Sequence, residues 1–201
     1  MEYQGALIGL GNPGPRYAGT RHNMGFLLVS ALLARAGEEG RLDELNGSRF
    51  GCELYRVHLA QLGGVWLAAR PLTFMNESGR CARPLLAWHK LPPSRLVVAH
   101  DELDIPAGEL RFKRSGGNAG HNGLKSVAEC LGTQDFFRLR MGIGRPSCKG
   151  DALNWVLGRP DEADSGLLNA ALPRALDVLF AFAGTGLEAA ARLARHQGGS
   201  S

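Results

Sequence analysis

His22, Asp101, Asn12, Asn76 and Asn122 are the residues of this chain whose types could do chemistry together, because each follows an apolar run or sits in a glycine-rich turn, where a side chain is presented and not packed. Imidazole accepts and releases a proton near neutral pH, and a carboxylate on its other nitrogen fixes the tautomer and steadies the imidazolium. A positioned base of this kind contributes roughly 10²- to 10⁴-fold in rate. His22 lies in Thr20-Arg21-His22-Asn23-Met24-Gly25, at the mouth of an expected helix and outside its apolar stripe, which argues against a core role. Without a partner it would read as a cap or a surface residue; Asp101 is the candidate partner. No serine stands in a G-x-S-x-G elbow and no cysteine has a motif context, so the pattern points to an activated water and to hydrolysis without a covalent intermediate.

Asparagine amides donate and accept at once, so Asn12, Asn76 and Asn122 are suited to holding an ester or amide and stabilising a developing oxyanion. Turn formation is their alternative role, above all for Asn12 ahead of Pro13-Gly14. Gly116-Gly117-Asn118-Ala119-Gly120-His121-Asn122-Gly123 is a glycine loop opening a helix, and its backbone N–H groups suit an anion. Beside it Arg111, Lys113 and Arg114 flank Phe112, while Arg138 and Arg140 alternate with Leu139 and Met141, a spacing expected to keep both arginines off the core face of a strand. Cations next to such a loop favour a phosphate-bearing ligand; a solvated strand face is the plain alternative.

The elements that must present these residues follow from periodicity and punctuation. Gly5-Ala6-Leu7-Ile8-Gly9-Leu10 reads as a first buried strand ended by the turn Gly11-Asn12-Pro13-Gly14, and residues 24–36 as a helix stopped by Gly37. Residues 38–48 read as a polar connection. Residues 52–59 and 66–69 read as an antiparallel hairpin across a short glycine turn, and 78–90 as a helix ended by Pro92-Pro93. Strands are expected at 96–99, 109–113 and 137–141, with a helix over 123–131 between the last two and helices over 162–183 and 187–195. Asp101 then lies just beyond the carboxyl end of a buried strand, where ligands of open α/β sheets gather.

Gly9-Leu10-Gly11-Asn12-Pro13-Gly14 fits the G-x-G-x-x-G spacing of a dinucleotide site. Pro13, Gly14, Pro15 and Gly19 delay the helix, however, and no acidic residue ends a second strand about 20 positions on, so no nucleotide cofactor is expected. With 201 residues, 44% apolar and 21% charged, the chain has the composition of one domain with a sizeable core, residues 1–196, followed by a disordered polar tail, 197–201. Its formal charge of +4 is compatible with nucleic acid without requiring it. Cys52, Cys81, Cys130 and Cys148 are too widely spaced for a zinc site. The first residues lack a basic-then-apolar leader and no apolar run approaches the roughly 18 residues of a membrane span, so a soluble cytoplasmic protein that engages no membrane is expected.

Taken together these motifs resemble the bacterial peptidyl-tRNA hydrolases almost end to end. The likeness rests on residues 9–14 with Tyr17 and Thr20-Arg21-His22-Asn23, then on Pro71-Leu72-Thr73-Phe74-Met75-Asn76-Glu77-Ser78-Gly79. It continues through His100-Asp101-Glu102-Leu103-Asp104, Gly120-His121-Asn122-Gly123-Leu124-Lys125 and Arg138-Leu139-Arg140-Met141-Gly142-Ile143-Gly144-Arg145-Pro146. The resemblance implies a single α/β domain with a twisted mixed, largely parallel β-sheet flanked by α-helices, and cleavage of the ester joining a peptide to the 3′ end of tRNA, which recycles prematurely released tRNA. It implies His22 as the base, Asp101 as its partner, and Asn12, Asn76 and Asn122, with His121 beside them, as the groups that position the peptide carbonyl and the terminal nucleotide. Tyr17, Phe74 and Met75 would line the cleft, Lys113 and Arg140 would clamp the tRNA 5′-phosphate, and Arg111 and Arg114 would assist. No metal or organic cofactor is implied, and the working unit is expected to be a monomer with peptidyl-tRNA as its partner. Three positions depart from the common pattern: Asn118-Ala119 in the loop, Glu77, and Arg111 in place of a frequent lysine. Only the loop change touches the cleft, so altered mobility or substrate entry is expected there. A related group, chloroplast intron-splicing factors, shares the fold as a binding module, and a generic esterase is a third reading.

Overall fold

The computed structural model describes residues 2–39, 41–146, 148 and 150–196. The strands are β1 (Gly5–Gly9), β2 (Leu42–Leu45), β3 (Cys52–Leu59), β4 (Gly64–Pro71), β5 (Leu96–Glu102), β6 (Leu110–Arg114) and β7 (Phe137–Gly142). The helices are α1 (Met24–Glu38), α2 (Gly79–Trp88), α3 (Asn122–Leu131), α4 (Ala152–Leu157), α5 (Glu162–Thr185) and α6 (Leu187–His196). The strands form one sheet in the order β2-β3-β4-β1-β5-β7-β6. Its centre, β4-β1-β5-β7, is parallel, and antiparallel pairs flank it at both ends.

Parallel strands covered on both faces read as continuous apolar runs, which is why β1 and β5 were visible as such. Leu7, Val97, Ala99, Leu139 and Met141 face a core closed by α1 and α5, whereas Ala6, Ile8, Leu67, Leu96 and Val98 face a second core closed by α2 and α3. The hairpin is confirmed, with β3 and β4 paired from Cys52↔Pro71 to Leu59↔Gly64.

Several expectations need correction. The connection over 38–48 contains the edge strand β2, whose largely exposed residues carry no apolar alternation to betray it. Helix α1 passes through Gly37 to Glu38, since a single glycine costs only about 1 kcal/mol in a helix interior. Strand β5 runs on past Ala99, because His100 and Asp101 pair with Arg140 and Met141 of β7; Asp101 is therefore inside the strand. The short helix α4 was not anticipated. Arg138 is not held off the core: its side chain is fully buried on the sheet face under residues 115–121, against the Phe136 ring. Helix α5 is long and apolar enough to cross a membrane by length and composition, with mean hydropathy 1.4, yet Leu168, Ala171, Ala175, Leu176, Val178 and Leu179 pack it into the first core. The tail over 197–201 lies outside the described residues.

Two glycines set how closely α1 lies on the sheet. A Cβ on Gly9 would come within 2.1 Å of the Gly25 carbonyl oxygen, and one on Gly25 within 2.3 Å of the Leu10 nitrogen and 2.4 Å of the Ala99 oxygen. Backbone meets backbone here, so neither position has room for a side chain. That contact seats the single turn Arg21–Asn23, which leads into α1, over the carboxyl ends of β1 and β5. Gly25→Ala is expected to lower stability by about 1–3 kcal/mol or more, read as a lower urea midpoint at unchanged m, because overpacking against backbone cannot be relieved by a rotamer change.

Candidate active site

The site is organised on one buried carboxylate. Asp101 is 2% exposed, and Nδ1 of His22 lies 2.9 and 3.0 Å from its two oxygens. A carboxylate can only accept, so Nδ1 of His22 carries the proton and Nε2 keeps its lone pair. Nε2 of His121 lies 3.0 Å from the same Oδ1. Nδ1 of His121 accepts the Leu124 N–H at 3.3 Å, capping α3, and this fixes the proton on Nε2 for donation to Asp101. His100 completes the cluster: it is fully buried, its ring packs edge-on to His121 at 4.9 Å, and its Nδ1 donates to the Asp101 carbonyl at 2.7 Å.

Burial by itself would raise the Asp101 carboxyl, but the charges and hydrogen bonds of His121 and His22 outweigh it and hold the group well below the usual carboxylate range. Burial, then His121, pushes His100 well below an ordinary histidine, so its ring stays neutral. Donor atoms of His22, Asp101 and His121 lie within 4.8 Å of one another, a spacing that could hold a metal ion, although hydrogen bonds among the three already use those atoms.

Asn12 is joined to this cluster through Asn23. The Asn12 N–H donates to Asn23 Oδ1 at 2.8 Å, and Asn23 Nδ2 returns a bond to the Asn12 carbonyl at 3.0 Å. The Met75 N–H occupies Asn12 Oδ1 at 2.8 Å, which leaves the Asn12 amide N–H groups as the donors to offer. Asn23, next to His22 in the motif, was missed as the residue that locks Asn12.

The cleft, about 390 Å³, is lined by His22, Asp101, His121 and Asn122 on one side and by Arg145, Leu153 and Val156 on the other. Helix α4, absent from the sequence reading, supplies the second wall. Arg21 ties it in place: the guanidinium stacks 3.8 Å over the Trp155 ring, reaches the Arg159 carbonyl at 2.9 Å and pairs with Asp164 at 2.8 Å. The segment carrying His22 is thereby held to the C-terminal third of the chain.

The other expected residues divide. Tyr17 and Phe74 meet edge to face at 6.3 Å, with Phe74 more than half exposed, and they sit beside Asn12 through the Phe74-Met75 backbone. Asn76 is exposed in the turn ahead of α2. The Met75 side chain does not line the cleft; it is buried in the second core, close under Gly123, and only its N–H serves the site. Lys113 and Arg140 lie off the cleft on the β6-β7 face. Arg140 pairs with Glu102 at 2.9 Å, Arg111 with Glu109 at 2.8 Å and Arg114 with Asp135 at 2.5 Å. Lys113 has no ion pair among the described residues, and burial together with Arg140 and Arg138 lowers its ammonium from the ordinary value. Ala119 takes φ +47° between Asn118 and Gly120, a left-handed conformation costing a non-glycine residue about 1–2 kcal/mol.

A buried His-Asp pair beside a cleft at the carboxyl ends of parallel strands, with Asn122 on its lining, stands where ligands of α/β sheets gather. The family model for peptidyl-tRNA hydrolase matches residues 6–199. The peptidyl-tRNA hydrolase of Desulfovibrio desulfuricans is 64% identical over 194 residues, covering 96% of this chain and 85% of that protein. That of Nitratidesulfovibrio vulgaris strain Miyazaki F is 46% identical over 96% of this chain and 97% of its own length. The crystal structure of peptidyl-tRNA hydrolase from Acinetobacter baumannii superposes with a TM-score of 0.87 at 32% identity over 96% of both chains. This chain belongs to the peptidyl-tRNA hydrolase family.

Replacing Asp101 by asparagine is expected to lower kcat by on the order of 10²- to 10⁴-fold, since the amide disturbs the imidazole tautomer that the carboxylate fixes. The same variant tests linkage. A carboxyl held below its unfolded value near 3.9 contributes stability that is present above about pH 4 and lost as pH falls further. Unfolding midpoints between about pH 5 and pH 3 should therefore fall less for Asp101→Asn than for the wild type.

Proposed function

We propose that this protein hydrolyses the ester between the peptide and the 3′ end of tRNA in peptidyl-tRNA, with a water activated by His22. The observation that carries the reading is the 2.9 Å contact between Asp101 and Nδ1 of His22, which leaves Nε2 as the free lone pair beside the cleft. A water bound there gives its proton to Nε2 as its oxygen attacks the carbonyl carbon. The resulting imidazolium is steadied by Asp101 and returns the proton to the departing ribose oxygen, so the products are a free peptide carboxylate and tRNA. Asn12, held by Asn23 and Met75, donates from its amide to the developing oxyanion. His121 supports Asp101 from the other side, Asn122 and Asn76 position the terminal nucleotide and peptide, and the Tyr17-Phe74 pair offers an aromatic surface for the 3′ base.

Lys113 and Arg140 take the 5′-phosphate, Lys113 as a cation with no ion pair among the described residues and Arg140 as an oriented fork held by Glu102, with Arg111 and Arg114 in support. No step calls for a metal or an organic cofactor. Because tRNA recycling serves translation, we place the reaction in the cytoplasm with a monomer as the working unit.

The deciding experiment offers purified protein N-acetyl-aminoacyl-tRNA, unblocked aminoacyl-tRNA and a small ester. Cleavage of the blocked tRNA substrate alone supports the proposal. Cleavage of the small ester alone makes the protein a general esterase, and tight binding without cleavage makes it a binding module. His22→Ala should abolish turnover with tRNA affinity nearly intact; more than a tenth of wild-type kcat would remove His22 as the base. Asn12→Ala should cost roughly 10²- to 10³-fold in rate. Lys113→Ala and Arg140→Ala should chiefly raise KM, each reducing the salt slope of binding by about one unit or less, and an effect confined to kcat would rule out the clamp.

A further inference from the structure

His100 is fully buried beside the reacting pair, yet no step of the proposed reaction touches it. It alternates with Asp101 along β5, so its side chain lies on the opposite sheet face, the face shared by Val98 and, across the ladder to β7, by Arg138 and Arg140. Its Nδ1–H donates to the Asp101 carbonyl at 2.7 Å, and its Nε2 has no hydrogen-bond partner among the described residues. An aliphatic side chain would avoid that second cost, so burial of apolar surface does not explain a histidine here.

The side chain that His100 meets is His121. Their ring centroids lie 4.9 Å apart with the planes at 72°, and the same His121 ring meets His22 at 5.1 Å. The backbone ahead of His121 does not fix that ring, because Gly116, Gly117 and Gly120 run through the segment and two of them take positive φ, +112° at Gly116 and +77° at Gly120. Its orientation is set by what the ring meets: Asp101, the Leu124 N–H and His100. Burial first, then His121 and lastly Arg138 hold His100 neutral, so it adds shape and one N–H beside Asp101 without a charge that would compete for the carboxylate.

We propose that His100 is a positioning residue for the hydrolysis: its ring holds His121 with Nε2–H on Asp101, its own Nδ1–H fixes the Asp101 carbonyl, and together these set how much of the carboxylate's charge is left to His22. This rests on the reading of His22 as the base. An Asp101 that lost the His121 N–H would interact more strongly with His22, and the imidazolium would hold its proton more tightly. The competing role is core packing alone, which would lower stability on substitution and leave the chemistry unmoved.

The test compares wild type with His100→Leu, which removes the ring, His100→Phe, which keeps a ring without the Nδ1 bond, His121→Phe, and the double variant His100→Leu/His121→Phe. Turnover of N-acetyl-aminoacyl-tRNA is measured from about pH 5 to pH 9, urea midpoints report stability, and isotope-labelled histidine follows the Nδ1–H of His22 and the Nε2–H of His121 by NMR. His100→Leu is expected to lower kcat on the order of 10-fold with KM little changed. It should also move the acidic limb of kcat/KM upward by about half a pH unit or more and lose the His121 resonance. His100→Phe should recover most of kcat and the resonance. Adding His100→Leu to His121→Phe should change kcat by less than about 2-fold, because residues that act through one another are not additive. Glu102 and Arg145 on the cleft lining, and Arg21 with its partner Asp164, are the same in every variant, so a moved limb reports the Asp101-His22 pair. An unmoved limb in His100→Leu, single losses that multiply in the double variant, or a His100→Phe as impaired as His100→Leu would overturn the assignment. So would a wild type in which His121 shows no bonded Nε2–H, a result independent of whether any variant folds. A wild type that shows this resonance, loses it in His100→Leu and cleaves no blocked tRNA would uphold His100 as the support of Asp101 and overturn the reading of His22 as the base.

Discussion

A carboxylate removed from water must be compensated, and the burial of Asp101 is the constraint on which the rest of the site depends. At 2% exposure, with the costs of desolvation, Asp101 is stable as an anion because two imidazole N–H groups reach it from different parts of the chain, His22 ahead of α1 and His121 at the start of α3. Each imidazole is in turn polarised into one tautomer. The carboxylate leaves the lone pair of His22 on Nε2, and the capping bond from Leu124 sets His121 up as a donor at Nε2. Under the proposed function, folding and chemistry use the same hydrogen bonds, and the pair is set before substrate arrives.

Delivering those two imidazoles requires close approach of backbone elements. Gly9 and Gly25 bring α1 against β1 and β5 at distances no side chain allows, and the turn carrying His22 arrives over the strand ends as a consequence. On the far side, Arg21 reaches Trp155, Arg159 and Asp164, so the residue next to His22 is clamped to α4 and α5. The cleft is the gap left between that clamp and the loop leading to α3.

The cationic face on the other side of β7 has its own internal order. Arg138 is fully buried with no carboxylate partner among the described residues; it donates to the Gly117 carbonyl at 2.6 Å and lies on the Phe136 ring, tying the loop down at Gly117. Arg140, one pleat further, is more exposed and paired with Glu102. Two arginines at equivalent spacing thus serve different purposes, one as a strut for the loop that carries His121, one as a surface cation.

Sequence by itself determined the parallel core strands, the β3-β4 hairpin, the amphipathic α3 and the residue types able to hydrolyse an ester, because burial on both faces, glycine turns and helix periodicity are local signals. The motif around His22, Asp101, Asn12 and Asn122 was equally legible. Tertiary structure alone decided which residues meet. His121 as second partner of Asp101, Asn23 as the lock on Asn12, the inward turn of Met75 and Arg138, and α4 as a wall of the cleft all depend on contacts between segments distant in the chain. β2 left no trace because an exposed edge strand has no buried face to impose alternation, and α4 left none because six residues are too few to establish a period. Local patterning specifies elements and chemistry; the partners of a buried charge are specified only once desolvation makes each unpaired group costly.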